Sequence, residues 1–491
     1  MDQIASLRPL LAVLVSMAVI PVLVSSSSRP NVREAWTLAA GVIKFGLVLS
    51  LLPAVLQGQA VVTNLVQIFP GVSIALRVDG LGMLFALVAS FLWIVTSLYS
   101  MGYMRGLKEH AQTRYFSYFA LALSATIGAA FAANLLTLYL FYEILSLATY
   151  PLVTHHQDQE ARVSGRRYLC FILGTSVGLV LPAMLVCYHL TGTLEFSALG
   201  ILAETGSKGG LTVLLLAFVF GFAKAGIMPF HSWLPAAMVA PTPVSALLHA
   251  VAVVKVGVFS IVRVLTGVFG VDLLADLQLG TLVAAIASVT ILLGSLIAMS
   301  QDELKRRLAF STISQLSYIV LGVALLSPKG MTGGVIHIAM HAFGKITLFF
   351  CAGAIFVASG KKYISQMQGI GRQMPITLSA FFIGSLSVIG LPPTGGFFSK
   401  WYLVLGTVQS GQLFFLFVLL LSSFLNALYF LPIVFRGFFS PPEDAVQETG
   451  LQEAPLLCVL PLVITACISI LLFFFPGLLQ ELTRLGLDLV P

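Results

Sequence analysis

Charged residues are scarce in this sequence. Only 9% of its 491 residues are Asp, Glu, Lys or Arg, whereas 58% are hydrophobic, and the mean hydropathy is +1.01. Soluble domains usually contain about 25% charged residues, so this composition excludes an ordinary water-soluble globular protein. The sequence instead predicts an integral membrane protein in a lipid bilayer.

Cysteine pairs and cofactor motifs are also missing. The five cysteines stand singly in apolar stretches without C-x-x-C spacing, so we interpret them as small core residues rather than metal ligands or disulfides. The sequence has no glycine-rich phosphate-binding loop and no haem or iron–sulfur motif. No redox cofactor, nucleotide or metal ion is therefore expected, and the chain itself has no catalytic redox site.

Long apolar runs recur from one end of the chain to the other. Each covers about 17 to 25 residues, long enough for a helix to cross a bilayer. The first run lacks an A-x-A-like cleavage site and is expected to be retained. The predicted fold is all-α and polytopic, with about 14 transmembrane helices. The predicted spans are 8–24, 36–57, 81–102, 115–133, 135–153, 168–191, 211–240 (broken), 243–265, 279–300, 308–326, 332–357, 376–407 (broken), 412–435 and 455–477.

Lysine and arginine are unevenly distributed between the two sides of these spans. Fifteen fall on one side and six on the other, and a positive-inside bias predicts that both termini lie outside the cytoplasm of a cell-membrane protein. This bias also explains the net charge of +7, so no nucleic-acid partner is expected. The segment 58–80 is expected to form a cap on the outer face, and 437–454 an acidic cytoplasmic loop.

Five lysines and no arginine remain inside the predicted spans. They are Lys44, Lys224, Lys255, Lys345 and Lys400. Burial favours the neutral form of lysine, whereas arginine stays charged, so lysine suits a group that must gain and lose a proton. Lys44 is the weakest candidate, because its long side chain can snorkel to the membrane interface.

Glu143 is the one acidic residue in the middle of a predicted span. Intramembrane ionisable groups are functional candidates by default, and we interpret Glu143 as the partner of Lys224, so that each holds the other charged. The alternative is a glutamate that only fixes helix packing.

Histidine and lysine recur together. His337, His341 and Lys345 are spaced at i, i+4 and i+8, which places them on one helical face, and His249 precedes Lys255 in another span. Imidazole titrates near neutrality and can pass a proton between its nitrogens, so this face is a candidate proton path. Metal binding by the His pair is the rival interpretation, but the H-E-x-x-H motif is absent.

Two spans are interrupted by proline and glycine. The first interruption lies in 221–264 and the second immediately before Lys400, at Pro392, Pro393, Gly395 and Gly396. Non-helical backbone at membrane depth requires a protein or water-filled environment. Each break is fourth in a group of five spans, and two successive odd-numbered groups must insert in opposite directions, which predicts two inverted five-helix repeats. The predicted units are 1–114, 115–265, 266–436 and 437–491.

Several strings together resemble a known family. They are LYLFYEILSLATY, FAKAGIMPFHSWLP, APTPVSALLHAVAVVKVGVF, DELKRRLAFSTISQLSYI, HIAMHAFGKITLFF and GLPPTGGFFSKW. Over residues 75 to 435 the chain resembles the antiporter-like subunits shared by Mrp-type multisubunit cation/proton antiporters, respiratory complex I and membrane-bound hydrogenases. The resemblance implies a fourteen-helix fold with a central hydrophilic axis for protons.

The resemblance also implies roles for particular residues. The family's glutamate–lysine pair matches Glu143 and Lys224, its central lysine matches Lys255, and its exit-side residue matches Lys400. The family's histidine row matches His337, His341 and Lys345.

Within the family, lysine at position 400 favours the Mrp D-type subunit, whereas SWLPAAMVAPTPVSALLHA resembles the complex I and hydrogenase versions. The implied partners are other membrane subunits, protons and Na⁺. The competing functional classes are a structural subunit without its own flux, a redox subunit with a quinone pocket and an independent solute transporter.

Overall fold

The computed structural model describes residues 3–203, 206–441 and 450–489. Residues 442–449, which form much of the predicted acidic loop, lie outside the described residues. The chain is predominantly helical, as predicted. The main helices are α1 (Arg8–Ser25), α2 (Pro30–Leu56), α3 (Gly80–Gly106), α4 (Gln112–Ala130), α5 (Leu135–Val153), α6 (Gln159–Thr191), α7 (Lys208–Gly221), α8 (Thr242–Phe269), α9 (Leu279–Ser300), α10 (Leu304–Ala324), α11 (Pro328–Ser359), α12 (Pro375–Ile389), α13 (Gly395–Gln409), α14 (Leu413–Phe439), α15 (Leu456–Phe474) and α16 (Gly477–Gly486).

Eleven of the described helices are long and apolar enough to cross a membrane. Three predicted spans are not among them. The helix α4 has a polar first turn, and α7 and α12 are shorter halves of the two broken spans. The polytopic helical fold is therefore confirmed, while the count of fourteen stays a prediction.

The central helices are apolar on all sides, and this sequence property explains their position. A helix that is hydrophobic all round has no face suited to water and packs inside the protein or against lipid. Every residue in the apolar window of α8 is buried, and α10 and α11 are nearly as enclosed, whereas only a third of α1, α2 and α6 is buried. The central helices carry most of the predicted site residues.

Both predicted breaks are present. In the first, α7 ends at Gly221, and short turns at Ala223–Ala225, Trp233–Ala236 and Ala237–Val239 lead to α8. In the second, residues 390–394 separate α12 from α13. Each break places glycine in the left-handed region that disfavours other residues, with φ of +72° at Gly226 and +91° at Gly390. The relation of the two halves as inverted repeats stays a prediction.

The connector 58–80 forms a β-hairpin that the helical prediction did not include. The strands β1 (Gln3–Ala5), β2 (Ala60–Phe69) and β3 (Val72–Val78) form one sheet, with β1 parallel and β3 antiparallel to β2. The hairpin turns at Gly71, whose φ is +73°. Its branched residues suit extended backbone, and a strand of this length needs no long apolar run.

Lys44 is completely buried, so the expectation that it snorkels to an interface is wrong. Its Nζ donates a hydrogen bond to Ser16 Oγ at 2.6 Å and lies 5.3 Å from the centre of the Trp93 ring. The hydroxyl and the aromatic face stabilise the amine inside the bundle, which removes the need to reach water.

Candidate functional site

Two central helices bring a lysine and a histidine into direct contact. Lys255 is on α8, two residues after the non-helical position that ends a π-helical turn at Leu247–Val251. Its Nζ lies 2.7 Å from Nδ1 of His341 on α11. Both side chains are at most 2% exposed, and the Nε2 of His341 has no hydrogen-bond partner among the described residues. A proton can therefore be shared between the amine and the imidazole, which has a second nitrogen free to pass one on.

His337 extends this contact by one helical turn, as the i, i+4 spacing predicts. Its ring centre lies 5.8 Å from that of His341. The Nδ1 of His337 lies 2.8 Å from Ser399 Oγ, and its Nε2 lies 3.2 Å from Gln315 Oε1. Because the amide oxygen only accepts, Nε2 carries the proton in this arrangement and Nδ1 accepts from the serine.

Lys400 lies at one end of the polar path. Its Nζ donates to the carbonyl oxygens of Val388 at 2.8 Å and Ile389 at 3.0 Å, and to Ser423 Oγ at 3.1 Å. The two carbonyls belong to the last turn of α12, where helix carbonyls lack helical partners. Lys400 thus closes the second break and is also adjacent in sequence to Ser399, the partner of His337.

An apolar cavity of about 360 Å³ borders Lys400. Its wall includes Tyr318, whose ring centre is 4.6 Å from the amine and whose ring stacks at 5.7 Å on His337. Trp401 and Phe424 in the same wall are at least half exposed. The lysine therefore lies close to the outside of the bundle.

Lys345 lies on the other side of His341 along α11. Its Nζ donates to Ser311 Oγ at 2.8 Å, and the Tyr429 hydroxyl donates to the same oxygen at 3.0 Å. Tyr429 also donates to Asn426 Oδ1. The predicted face of His337, His341 and Lys345 is thus continued by side chains from α10 and α14.

His249 has a different environment. It lies in the π-helical turn of α8, is completely buried, and neither ring nitrogen has a hydrogen-bond partner among the described residues. Its ring centre is 5.0 Å from that of Phe349 on α11. π-Helical turns inside α-helices occur frequently at functional sites.

Glu143 and Lys224 are not in contact. The Nζ of Lys224 donates to the Tyr142 carbonyl and to Ser146 Oγ, both at 2.6 Å, and lies 3.1 Å from the centre of the Tyr142 ring. Neither carboxylate oxygen of Glu143 has a hydrogen-bond partner among the described residues. The structure therefore corrects the expectation of a closed pair: the lysine binds the helix that carries Glu143, but through its neighbours.

A polar cavity of about 630 Å³ opens beside the first break. Lys305 in its wall donates to the carbonyl oxygens of Met238 at 2.7 Å and Ala240 at 2.6 Å, which satisfies backbone that the break leaves without helical partners. The basic stretch before α10 therefore does more than anchor the orientation of the chain in the membrane. The cavity gives the loop side of the bundle a water-accessible space next to the start of α8.

Sequence reasoning missed most of the uncharged members of the site. Ser311, Gln315 and Tyr318 lie on α10 and bind Lys345, His337 and Lys400 by hydrogen bonds or ring contacts. The signal was the string STISQLSY, which is unusually rich in polar side chains for a transmembrane segment.

A buried ion pair was also missed. Arg263 near the end of α8 forms two hydrogen bonds of 2.7 Å with the carboxylate of Asp79, which caps the N-terminus of α3 through Gly82 N–H at 2.9 Å. Burial raises the pKa of Asp79, but the charge and hydrogen bonds of Arg263 outweigh it, so its pKa is lower than the usual value. This pair attaches α8 to the start of α3.

Comparison with known families identifies relatives of this chain. The family model described as NADH:quinone oxidoreductase/Mrp antiporter, TM, matches residues 132–426, which is more than half of the chain. The model described as NADH-Ubiquinone oxidoreductase (complex I), chain 5 N-terminus, matches residues 70–116.

Three curated relatives illustrate the range of the family. NADH-quinone oxidoreductase subunit N of Desulforudis audaxviator is 36% identical over 75% of this chain and 74% of its own length. A Na⁺/H⁺ antiporter subunit of Alkalihalophilus pseudofirmus is 31% identical over 83% of this chain and 53% of its own length. Hydrogenase-4 component B of Escherichia coli is 33% identical over 70% of this chain and 52% of its own length. The chain spans about half the length of the latter two.

Solved structures share the fold. A chain of the Mrp complex from Dietzia sp. superposes with a TM-score of 0.87 at 24% identity, covering 98% of this chain and 97% of that chain. A chain of the membrane-bound sulfane sulfur reductase, an archaeal respiratory membrane complex, gives a TM-score of 0.87 at 23% identity with the same coverage. Both neighbours belong to multisubunit membrane assemblies.

Proposed function

This chain belongs to the NADH:quinone oxidoreductase/Mrp antiporter family of membrane subunits, and we propose that it moves protons across the membrane as one subunit of a larger complex. The observation that carries the proposal is the buried contact of 2.7 Å between Lys255 and His341. A structural subunit has no need for titratable side chains in contact inside an apolar core, where charge is costly.

The proposed central step is proton exchange between Lys255 and the histidines of α11. Lys255 gives a proton to His341 Nδ1, and His341 releases one from Nε2 toward His337. His337 then exchanges with Ser399 and, through water, with Lys400, which delivers the proton at the far end. The rings of His341 and His337 are 5.8 Å apart at their centres, so one water molecule bridges the nitrogens.

Glu143 and Lys224 act as the control element of this path. When they are apart, as here, Lys224 binds Ser146 and the Tyr142 carbonyl. When they close, the positive charge of Lys224 moves toward Glu143, and its effect on the other buried amines changes. At an effective dielectric constant of about 20, two charges 10 Å apart interact by about 1.7 kcal/mol, enough for more than a tenfold change in proton occupancy. His249 connects this element with Lys345.

Lys345 is the branch of the path on the loop side. Its contacts with Ser311 and Tyr429 extend the polar chain away from Lys400. The polar cavity beside Lys305 supplies protons on that side. Proton uptake and release thus occur at opposite ends of α11.

The finer assignment is a D-type subunit of a monovalent cation (Na⁺)/H⁺ antiporter, supported by lysine at position 400 and by the structural likeness to a chain of an Mrp complex. The second candidate is the proton-pumping subunit of an NADH-quinone oxidoreductase or a hydrogenase, favoured by 36% identity to a subunit N and 33% to Hydrogenase-4 component B. In either complex the driving reaction takes place in partner subunits. Deleting the neighbouring genes and measuring sodium-dependent against NADH-dependent proton movement distinguishes the two.

We place the subunit in the cell membrane with both termini on the non-cytoplasmic side, on the basis of the distribution of lysine and arginine. In this arrangement 115–265 and 266–436 are the two inverted five-helix repeats, 1–114 is the N-terminal unit, and 437–491 carries the cytoplasmic loop and last span.

Proton flux in membrane vesicles containing the assembled complex tests the proposal. Lys255→Ala and Glu143→Gln are each expected to lower flux at least tenfold, because they remove the central donor and the control element. His189→Ala, on an exposed face of α6, is the matched control and should retain wild-type flux.

The same measurement separates the structural alternative. Flux is divided by the amount of assembled complex in each membrane. Wild-type flux per complex from both the Lys255 and the Glu143 variants would refute the proposed roles, and reduced assembly with unchanged flux per complex would assign this chain a structural function.

A further inference from the structure

One carboxylate and three imidazoles form a cluster outside the proposed proton path. Glu109 and His110 lie in the loop between α3 and α4, and His155 and His156 follow α5. The two loops touch, because Nε2 of His110 donates a hydrogen bond of 3.1 Å to the carbonyl oxygen of His155. This carbonyl also accepts from Arg114 at 2.7 Å. The fold therefore brings together residues that are 45 positions apart in the chain.

Three side-chain atoms converge in this cluster. Oε2 of Glu109 lies 3.8 Å from Nδ1 of His110 and 3.8 Å from Nε2 of His155. All three ligand atoms lie within 4.8 Å of one another. In a tetrahedral zinc site with bonds of about 2.0 to 2.1 Å, neighbouring ligand atoms are about 3.3 Å apart. Small side-chain rotations are therefore enough to place all three atoms around one ion.

The hydrogen bonds of the cluster prepare the ligand atoms. Since Nε2 of His110 donates to a carbonyl, its Nδ1 presents a lone pair toward Glu109. Nε2 of His156 lies 3.4 Å from Oε1 of Glu109, which orients the carboxylate and leaves Oε2 for the other two imidazoles. Metal-binding histidines and carboxylates usually have such outer partners.

His155 supplies the second, independent indication of a ligand. Its side chain is 0% exposed, and neither ring nitrogen has a hydrogen-bond partner among the described residues. A buried polar group without a partner is unfavourable, and native structures seldom contain one without a reason. The ring places Nε2 on the side of Glu109, where an ion would satisfy it.

We propose that Glu109, His110 and His155 bind a divalent first-row transition-metal ion, of which Zn²⁺ is the representative. Two imidazoles and one carboxylate suit zinc and its neighbours, whereas Ca²⁺ and Mg²⁺ prefer oxygen ligands. Glu109 and His156 also line the polar cavity of about 630 Å³ beside the first break, so water can provide the fourth ligand. The ion joins the α3–α4 loop to the loop after α5 at the edge of this cavity.

Cobalt(II) titration of the purified full-length protein in detergent tests the site. The affinity tag must carry no histidine. We expect one equivalent of Co²⁺ to bind with the visible absorption of a tetrahedral ion, and Zn²⁺ to displace it. His155→Ala and Glu109→Gln should each weaken binding at least tenfold, whereas His189→Ala on the exposed face of α6 should not change it.

A milder variant guards against loss of folding. The side chain of His156 is 35% exposed, so His156→Ala is expected to preserve the fold and to weaken cobalt binding by about 10- to 100-fold, as for other outer partners. Gel filtration checks that each variant is monodisperse. The proposal is overturned if the folded wild-type protein binds no stoichiometric Co²⁺, or if the His156 and Glu109 variants bind it as the wild type does.

Discussion

The ion pair between Asp79 and Arg263 allows a sharp test of how α8 is held in place. Both side chains are less than a tenth exposed, and both hydrogen bonds measure 2.7 Å. Asp79→Asn keeps an N-cap acceptor for Gly82 N–H but removes the charge that compensates Arg263. Breaking one partner of a buried pair typically costs about 3–5 kcal/mol, because the other charge is left without compensation.

A double-mutant cycle isolates this effect. We expect Asp79→Asn and Arg263→Gln each to lower the free energy of unfolding by about 3–5 kcal/mol, and the double variant to recover much of that loss, since two amides can bind each other. Thermal unfolding in detergent provides the measurement. If Asp79→Asn is as stable as the wild type, or if the two single effects add fully in the double variant, the reasoning is refuted.

The pH dependence of the same pair has a defined sign. The pKa of Asp79 is lower in the folded protein than in the unfolded chain, where it is about 3.9. The pair therefore stabilises the fold fully above that unfolded value, and this contribution is lost as the pH falls through the folded pKa. The stability difference between wild type and Asp79→Asn should accordingly be constant near neutrality and shrink in strong acid.

Two further substitutions test the proposed path. A Cβ at Gly257 would collide with the backbone of the first break at Lys224 and Ala225, so Gly257→Ala should displace the break and lower proton flux at least tenfold; Gly46→Ala, where nothing lies within 4 Å, should leave flux unchanged, and equal flux from both variants would count against close packing as a requirement. Lys400→Met removes three hydrogen bonds and should reduce flux at least tenfold, whereas Lys44→Met, equally buried but outside the path, should keep wild-type flux per assembled complex; a large loss from both would show that burial alone matters.

Local patterns in the sequence were sufficient for the membrane-spanning architecture. A lipid environment requires continuous apolar helices, so hydropathy and length locate them directly, and proline and glycine mark the two breaks. The placement of His337, His341 and Lys345 on one face of α11 follows from helical periodicity and agrees with the contacts observed.

Contacts between helices depend on more than the local pattern. Periodicity gives the face of each helix but neither its rotation against neighbours nor its depth, and both are set by packing of the whole bundle. Only the tertiary structure shows that Lys255 meets His341, that Glu143 and Lys224 are apart, and that Lys44 is enclosed.

The same distinction explains the features that the sequence did not predict. The β-hairpin at Ala60–Val78 is stabilised by cross-strand pairing, which an alternating segment does not announce among long apolar runs. Glu109 and His155 belong to separate loops, and the distance between loops is a property of the folded chain. Composition and periodicity therefore determined that this protein lies in a membrane with titratable groups in its core, whereas tertiary packing decided which of those groups touch.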